Sequence, residues 1–265
     1  MCRFLKITRS TVYYKKKPKS QETELENAVI GEFKANWQAY GTRKLKRALE
    51  RRSKPILLSR RKIGRIMAKY GLKSKYTVAR SKHFRNRVNE ETTPNILNRE
   101  FSGRAPMEVV VSDLTYIKVS GKWHYICLLI DISAREIIGF AAGRNKDAKL
   151  VRKAFYRIKG DLRNINVFHT DRGSEYKNEI VDNIIKAFEI ERSLSAKGTP
   201  IDNAVAESMY NTLKIEMAYG ESFENLDELE LRLFEYANWY NNQRLHGSLG
   251  YQTPAEYKAF IQRRN

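Results

Sequence analysis

The sequence has little cysteine and no long hydrophobic run. Its 265 residues include two cysteines, Cys2 and Cys127, which form neither a Cys-x-x-Cys pair nor a disulfide framework. The longest uninterrupted apolar run, Ile126–Ile130, is too short to cross a bilayer. The first ten residues contain no apolar stretch of signal-peptide length. These absences argue against a secreted or membrane-spanning protein and predict a reduced, cytoplasmic one.

Histidines are few, and acidic residues are scarce at one end. The four histidines are too scattered for zinc-finger spacing, which predicts a zinc-free protein. Residues 1–100 hold 27 Lys and Arg against 8 Asp and Glu, whereas residues 101–265 hold 23 against 22. Nearly all of the net charge of +20 therefore lies in the first hundred residues. This asymmetry predicts a polyanion-binding module joined to a neutral domain.

Hydrophobic periodicity predicts three helices in the basic region. The first covers residues 22–37, and Gly41 is expected to break the helical pattern after it. The second begins at Thr42, which we expect to act as its N-cap. The third covers residues 60–69 and is expected to be capped by Ser59 and terminated just beyond its end by a glycine. Its expected buried stripe is Ile63, Ile66, Met67 and Tyr70.

The outer faces of the second and third helices are crowded with cations. Two short basic helices around a turn fit a helix-turn-helix-like DNA-binding unit at residues 40–72. The alternative is a solvated helical face without a ligand, but few acids balance these cations. We expect DNA contacts from Arg43, Lys44, Arg47, Arg60, Arg61, Lys62, Arg65 and Lys69.

Composition divides the chain into three segments. Residues 1–72 form the basic helical region, in which the role of residues 1–20 is left open. Residues 73–100 stay basic but lose their periodicity, which predicts an extended linker that itself could touch DNA. Residues 101–265 form the neutral domain.

Strand patterns dominate the start of the neutral domain. Residues 109–119, 123–131 and 135–141 predict three strands joined by short turns, which implies an antiparallel meander. Helix, strand, helix, strand and helix follow. This order predicts a mixed α/β domain in which crossover helices join parallel strands.

Three carboxylates occupy distinctive positions in this domain. Asp113 lies within the first strand, Asp171 directly follows the fourth strand, and Glu207 lies on a helix predicted over residues 203–218. Polar groups at carboxyl ends of parallel strands are well placed for a site. Each acid has an ordinary alternative, as an exposed strand residue, a turn aspartate or a solvated helix acid. Lys214 shares the helix face of Glu207.

Several motifs carry a family resemblance. They are residues 112–117, residues 169–176, the segment from Gly198 to Glu216, and the C-terminal signature from Tyr240 to Pro254. In these motifs the chain resembles the DDE transposases of bacterial insertion sequences, and specifically the OrfB-type protein of insertion sequence family three. That family is related to retroviral integrases. Its pattern is an Asp on the first strand, an Asp on the fourth and a Glu after 35 intervening residues, which this chain matches.

The resemblance implies an RNase H-like mixed-sheet core preceded by a small helical, helix-turn-helix-like domain. Asp113, Asp171 and Glu207 would be the catalytic and metal-binding residues, and Lys214 would contact DNA. The implied activity is metal-dependent cleavage at insertion-sequence ends followed by strand transfer. The implied cofactor is Mg²⁺, as the two ions of a two-metal site, with Mn²⁺ able to substitute.

The implied partners are double-stranded DNA, namely terminal inverted repeats and target DNA, and further copies of the chain, at least a dimer on DNA. An upstream OrfA-type partner or a frameshifted fusion with it is a further possibility, and the expected place is the nucleoid of a bacterial cytoplasm, with no membrane. The chain departs from the pattern at Val109–Val111, where the family often has a Trp, and lacks the histidine–cysteine zinc module of retroviral integrases.

Four further residues are assigned supporting roles. His169 is expected to pack or hydrogen-bond beside the site, and either Asp202 or Asn203 to cap the helix of Glu207. Arg244 and His246 could touch DNA or stabilise the C-terminal helices, and the sequence leaves both open. Two other functions also stay open: a nuclease that only hydrolyses DNA, and a non-catalytic DNA-binding repressor.

Overall fold

A computed structural model describes Thr8 and residues 20–78, 103–195 and 204–264. The predictions for residues 1–19 other than Thr8, for linker residues 79–100 and for the cap at Asp202 or Asn203 lie outside these ranges.

Three helices form the basic unit: α1 (Ser20–Ala35), α2 (Thr42–Glu50) and α3 (Arg60–Lys69). The predicted α1 has the observed length of 16 residues but is displaced by two positions, because the helix begins at Ser20 and ends at Ala35, well before Gly41. Trp37 and Gln38 adopt left-handed backbone conformations, with φ of 54° and 56°, and these end the helix. The ring of Trp37 then packs 5.7 Å from that of Tyr236 near the end of the chain.

The helix caps follow the prediction in α3 but not in α2. The Ser59 hydroxyl accepts the Lys62 N–H at 3.2 Å, as expected of an N-cap. The predicted Thr42 cap is wrong, because Gly41 occupies the N-cap position and Thr42 is the first helical residue. The prediction that Tyr70 is buried is also wrong. Its side chain is 43% exposed because its hydroxyl reaches out to Glu26.

The predicted extended linker starts with a helical turn, α4 (Lys75–Val78). Lys75 Nζ donates to the main-chain oxygen of Glu216 at 3.0 Å, and the Tyr76 hydroxyl donates to the Glu216 carboxylate at 2.7 Å. These contacts fix the turn against the C-terminal part of the chain, so at least residues 75–78 are not extended.

The antiparallel meander is confirmed. It consists of β1 (Val109–Val119), β2 (Lys122–Asp131) and β3 (Glu136–Gly143). Gly139 lets the next helix approach β3, since a Cβ there would lie 2.6 Å from the Ala154 carbonyl oxygen.

The crossover part of the sheet also agrees with the prediction. Helix α5 (Ala148–Phe155) leads to β4 (Val167–Thr170), and α6 (Glu179–Ala187) leads to β5 (Glu191–Leu194). Strand β4 runs parallel to β1, and β5 runs parallel to β4. Within the described residues this makes one five-stranded sheet of order β3-β2-β1-β4-β5.

The helix predicted over residues 203–218 has two parts. Helix α7 (Ala204–Leu213) continues into a π-helical turn, Lys214–Ala218. Such turns often occur at functional sites because they redirect side chains within a helix. Helices α8 (Leu226–Asn242) and α9 (Pro254–Gln262) follow.

Each face of the sheet is covered by its own apolar layer. Helices α5 and α6 bury residues such as Leu150 and Val181 against one face. Helices α7 and α8 cover the other face, and the same apolar cluster continues through Tyr40 and Leu45 into the three-helix unit. The basic unit is thereby packed directly onto the carboxylate-bearing domain, on the α7 side of the sheet.

Candidate active site

Asp113 lies in the middle of β1, opposite Leu128 of β2. Side chains alternate along a strand, so Asp113 shares the sheet face of Val111 and Ile117, which is the face covered by α7. Its Oδ1 accepts the N–H of Leu114 at 2.7 Å. This half-buried carboxylate is therefore held at the point where β1 meets the helix that carries Glu207.

Tyr210 connects that helix to the strand. It follows Glu207 by three residues, and its buried hydroxyl donates to the main-chain carbonyl of Asp113. The same hydroxyl accepts the N–H of Leu128 at 2.7 Å. A side chain of α7 thus lies between two paired residues of the sheet. This contact fixes the position of α7, and with it that of Glu207, relative to Asp113.

The opposite face of β1 is tied to the Asp171 loop. Ser112 Oγ donates to the Leu128 carbonyl at 2.8 Å and lies 2.9 Å from the hydroxyl of Tyr176. Both Ser112 and Tyr176 are buried. Tyrosines on the two faces therefore hold the same short stretch of β1.

Asp171 directly follows β4, as predicted. Its Oδ1 accepts the N–H of Gly173 at 3.0 Å, which stabilises the turn. Glu175 folds back into this loop and is buried, with its Oε1 2.9 Å from Lys146 Nζ. Gly173 permits the fold-back, because a Cβ there would collide with the Glu175 carboxylate.

Glu207 lies in the first turn of α7, with an exposed side chain. Its negative charge contributes to raising the pKa of Asp113, so the two carboxylates interact. The described residues contain no group of three His, Cys, Asp or Glu side chains close enough to form a ready-made metal cage. The structure brings the predicted carboxylates into one region without a closed ligand set.

The two aspartates of this region are harder to ionise than ordinary aspartates, because their pKa values are raised. Burial first, and then the charge of Asp171, raise the pKa of Asp113 to about 7. Burial also raises the pKa of Asp171, and the charge of Glu175 adds to that effect. The ammonium of Lys146 acts in the opposite direction on both aspartates. A compact group of acids that resist ionisation is typical of sites built to receive a cation.

Lys214 lies where the sequence placed it, on the same side of the helix as Glu207. Burial lowers its pKa while the charge of Asp113 raises it. Its ammonium also lies 4.7 Å from the ring centroid of Tyr116. A cation therefore stands beside the carboxylates, next to an aromatic ring on the sheet.

Three of the supporting residues, His169, Arg244 and His246, are buried. His169 is fully buried, with Nδ1 2.8 Å from Ser193 Oγ and Nε2 3.1 Å from Ser195 Oγ, so it connects β4 to the strand beside it. Arg244 is 6% exposed and binds the fully buried Glu216, with Nε 2.8 Å from one carboxylate oxygen.

Arg244 is also part of a wider network. Its guanidinium reaches His246 Nε2 at 3.0 Å and the Tyr76 hydroxyl at 3.1 Å. Tyr236 donates to Glu216 at 2.9 Å. Arg244 and His246 thus join α4, the π-helical turn and the C-terminal helices, which is the stabilising alternative of the two that the sequence left open.

The predicted DNA-binding cations of the three-helix unit differ in their surroundings. Lys69 pairs with Glu26 at 2.8 Å, and Arg47 pairs with Glu50 at 3.1 Å. Lys44 is half-buried and points into a cavity rather than outward. Lys62 is partly buried. The cations that are exposed and form no ion pair with any described residue are Arg43, Arg60, Arg61 and Arg65.

Sequence reasoning missed Lys146, Glu175 and Tyr210. Glu175 lies inside a motif that was recognised, and Tyr210 is one helical turn from Glu207, so spacing alone could have indicated both. Lys146 precedes α5 and reaches the site only because that helix packs against the sheet.

Family models match three parts of the chain. An HTH-like domain matches residues 20–80, and two integrase core domain models match residues 103–200 and 207–260. The matches follow the division between the basic helices and the sheet domain.

Relatives extend over almost the whole chain. The putative transposase InsK for insertion sequence element IS150 of Escherichia coli (strain K12) is 31% identical over 97% of this chain and 92% of its own length. The transposase for insertion sequence element IS904 of Lactococcus lactis subsp. lactis (strain IL1403) is 30% identical over 92% of this chain and 98% of its own length. The chain belongs to the insertion-sequence transposases of the IS3 family.

The fold of this transposase is that of the integrase core. A chain of the simian T-cell lymphotropic virus intasome, determined in complex with PP2A regulatory subunit B56 gamma, superposes with a TM-score of 0.51 at 12% identity. The superposition covers 87% of the transposase and 73% of that chain. The mixed sheet of the transposase is accordingly RNase H-like, as predicted.

Membership of this family establishes the general activity. The transposase is a polynucleotidyl transferase that binds DNA and carries out transposition by an integrase-like mechanism. Integrase cores of this kind generally use divalent metal ions. No described helix is both long and apolar enough to cross a membrane.

Proposed function

We propose that Asp113, Asp171 and Glu207 are the catalytic triad of this transposase and that together they hold two Mg²⁺ ions. The observation that carries this assignment is the burial of Asp113 beside two other acids: burial, followed by the charge of Asp171 and then that of Glu207, raises the pKa of Asp113 to about 7. Two carboxylates about 4 Å apart repel each other by roughly 4 kcal/mol at an effective dielectric constant of about 20. Such a group is unfavourable by itself and favourable around a cation.

The donor set fits Mg²⁺. All three side chains offer carboxylate oxygens, which are hard ligands suited to Mg²⁺ and also to Mn²⁺. Cys127, the cysteine among the described residues, is fully buried, and burial raises the pKa of its thiol and so disfavours the thiolate that would bind a metal. When bound, the ions would activate the attacking oxygen and stabilise the leaving oxygen of an in-line phosphoryl displacement.

The residues of the chain supply position and charge for two successive displacements. Water first attacks the phosphodiester at the element end, and the 3′ oxygen leaves as a free hydroxyl. That hydroxyl then attacks a phosphodiester in a second DNA strand, so one P–O bond forms as another breaks. Tyr210 and Tyr176 hold Asp113 in place during both steps, because each bonds to β1 within one residue of it. Neither step requires a nucleotide or a covalent protein–DNA bond.

Cations near the site would place the DNA. Lys214 contacts a phosphate next to the reacting bond, since its ammonium lies in the field of Asp113 and beside Tyr116. The exposed cations Arg43, Arg60, Arg61 and Arg65 bind the DNA backbone further away.

Transposition also requires an assembly. Two element ends must be brought together, so the transposase acts as at least a dimer on DNA. An OrfA-type partner encoded upstream, or a frameshifted fusion with it, would supply further contacts to the terminal repeats.

The test supplies duplexes that carry the DNA flanking the reading frame, one pre-cleaved to expose a 3′ hydroxyl, together with a second DNA and MgCl₂. We expect joined products whose yield falls to background with EDTA and recovers with MnCl₂. Asp113→Asn, Asp171→Asn and Glu207→Gln should each lower joining by at least about a thousandfold while leaving DNA affinity unchanged. Joining by any of the three variants would remove that residue from the triad, and cleavage without joining would identify a nuclease.

A further inference from the structure

A cavity of about 220 Å³ lies where the three-helix unit meets the helix of Glu207. Its walls come from four separate parts of the chain. Helix α2 contributes Lys44, the turn between β2 and β3 contributes Arg135, and α7 contributes Ser208, the neighbour of Glu207. The segment after α8 contributes Arg244, His246 and Ser248. We call this cavity the cation pocket.

The charges of the cation pocket do not balance. Lys44, Arg135 and Arg244 line it, and no carboxylate is among its described lining residues. The positive charge of Arg244 is already offset by Glu216, at 2.8 Å. Arg135 and Lys44 form no ion pair with any described residue. Two uncompensated cations thus face one small space.

Lys44 is half-buried and His246 is buried, whereas Arg135 is exposed. Desolvation, followed by the charge of Arg244, lowers the pKa of Lys44 to about 8. Burial and the same cations lower the pKa of His246 to about 2, so its ring stays neutral and keeps one N–H to donate. The Ser208 and Ser248 hydroxyls make no hydrogen bond with another described residue and are exposed. Two cations and two hydroxyl donors at the pocket therefore have no acceptor among the described residues.

A phosphate group satisfies these requirements. It is small enough for the pocket, carries negative charge and accepts several charge-assisted hydrogen bonds at once. We propose that the cation pocket binds one phosphodiester of the DNA held by the transposase. A single phosphate then contacts Lys44 of α2, Arg135 of the turn between β2 and β3, and Ser208 of the helix that carries Glu207. This inference rests on the proposed function, because it assumes that DNA occupies the adjacent triad.

The proposed contact has a mechanical consequence. Ser208 directly follows Glu207, so a phosphate bound by Ser208 and Lys44 joins the catalytic helix to the helix-turn-helix unit. DNA seated by the basic helices would thereby also fix the position of α7. The pocket reads no bases and adds affinity and position without sequence preference.

The test measures DNA affinity in the full-length Asp113→Asn protein, which separates binding from chemistry. Lys44→Gln and Arg135→Gln should each weaken binding of a short duplex by about tenfold. Each should also lower the slope of log affinity against log salt by about 1. The charge-keeping Lys44→Arg should retain most of the affinity. The matched control is Lys186→Gln, an exposed lysine of α6 on the opposite face of the sheet, which should change nothing.

A second arm identifies the source of the phosphate. Duplexes with one neutral methylphosphonate linkage, moved along the strand, should contain a position that weakens binding by the same factor and adds no further loss in Lys44→Gln. Inorganic phosphate should compete only in the millimolar range. Additive losses at every linkage would overturn the proposal, as would tight binding of inorganic phosphate that leaves DNA affinity unchanged. Failure of strand joining with intact pocket binding would count against the triad alone.

Discussion

The hydroxyl of Tyr210 donates to the main-chain carbonyl of Asp113 and accepts the N–H of Leu128, and so lies between two paired residues of β1 and β2. A side chain of the helix that carries Glu207 thus lies between β2 and the strand that carries Asp113, the first carboxylate of the proposed triad. Catalytic geometry tolerates errors of only a fraction of an ångström. The tether is therefore expected to matter for rate more than for DNA binding.

Removal of this hydroxyl gives the first prediction. In Tyr210→Phe the carbonyl of Asp113 and the N–H of Leu128 lose their shared partner, at a cost of about 1–3 kcal/mol in the free energy of unfolding. We expect strand joining to fall by at least about tenfold while DNA affinity stays unchanged. Urea denaturation and single-turnover joining measure the two effects. Tyr257→Phe, on the C-terminal helix away from the sheet, is the control; an unchanged joining rate in Tyr210→Phe would show that the tether has no catalytic role.

The second prediction concerns pH and magnesium. The pKa of Asp113 is raised to about 7 in the metal-free protein, so a bound proton must leave before a cation binds. Mg²⁺ affinity should therefore be constant above about pH 8 and fall toward tenfold per pH unit below pH 7.

The raised pKa of Asp113 also makes the stability of the metal-free protein depend on pH. Since the folded-state pKa of Asp113 lies above the unfolded value of 3.8, the metal-free fold binds more protons than the unfolded chain between these values. Protonation of Asp113 should therefore add more to the free energy of unfolding as the pH falls from 8 toward 4. Asp113→Asn should remove that contribution. Titrations with MgCl₂ and urea melts from pH 6 to 8 test both effects, and a pH-independent Mg²⁺ affinity would contradict the assignment.

Lys146 and Glu175 give a third prediction. Lys146 offsets the acids of the site, and its own pKa, which burial alone would lower, is raised by the hydrogen bond and charge of Glu175. Lys146→Gln should move the acidic limb of the rate–pH profile upward, by as much as about 1 pH unit, because the remaining carboxylates are harder to ionise.

A double variant separates charge balance from packing. In Lys146→Gln/Glu175→Gln one positive and one negative charge are removed together, so the acidic limb should return toward its original position. The exposed Lys149, in the first turn of α5 and three residues after Lys146, provides the control variant Lys149→Gln. If the double variant behaves like Lys146→Gln alone, the pair does not act through its charge.

The buried pair of Arg244 and Glu216 gives the fourth prediction. Glu216 is fully buried and receives bonds from Arg244, Tyr76 and Tyr236. Glu216→Gln leaves the guanidinium buried without a counter-charge and should lower the free energy of unfolding by about 3–5 kcal/mol. Glu235→Gln, which breaks the exposed pair of Arg232 and Glu235, should cost less than about 1 kcal/mol. Equal losses in urea denaturation would refute the distinction.

Much of the fold could be predicted from local patterns in the sequence. The three strands of the meander and the helix–strand alternation after them follow from periodicity within short windows, because each element buries one face against its neighbours. Errors arose where a distant contact overrode a local preference. Trp37 ends α1 early because its ring packs against Tyr236, and Tyr70 is exposed because it reaches Glu26.

The candidate site, too, could be predicted from the sequence only in part. The chemistry proposed for Asp113, Asp171 and Glu207 was predicted from their residue types and spacing together with the resemblance of the surrounding motifs to a known family. Nothing local indicates that Lys44, on a helix face rich in cations, lies in a cavity beside Ser208, or that Arg244 lies inside the protein rather than on a DNA-binding surface.

Composition and periodicity in the sequence predicted a basic helical unit joined to a mixed α/β domain, and the resemblance of its motifs to a known family pointed to an RNase H-like core and to the triad proposed for this IS3-family transposase. The tertiary structure decided which side chains meet. The contacts of Tyr210 with β1, Lys146 with Glu175 and Arg244 with Glu216 join residues that are 97, 29 and 28 positions apart. Such contacts depend on how whole elements pack, and only the folded chain brings those elements together.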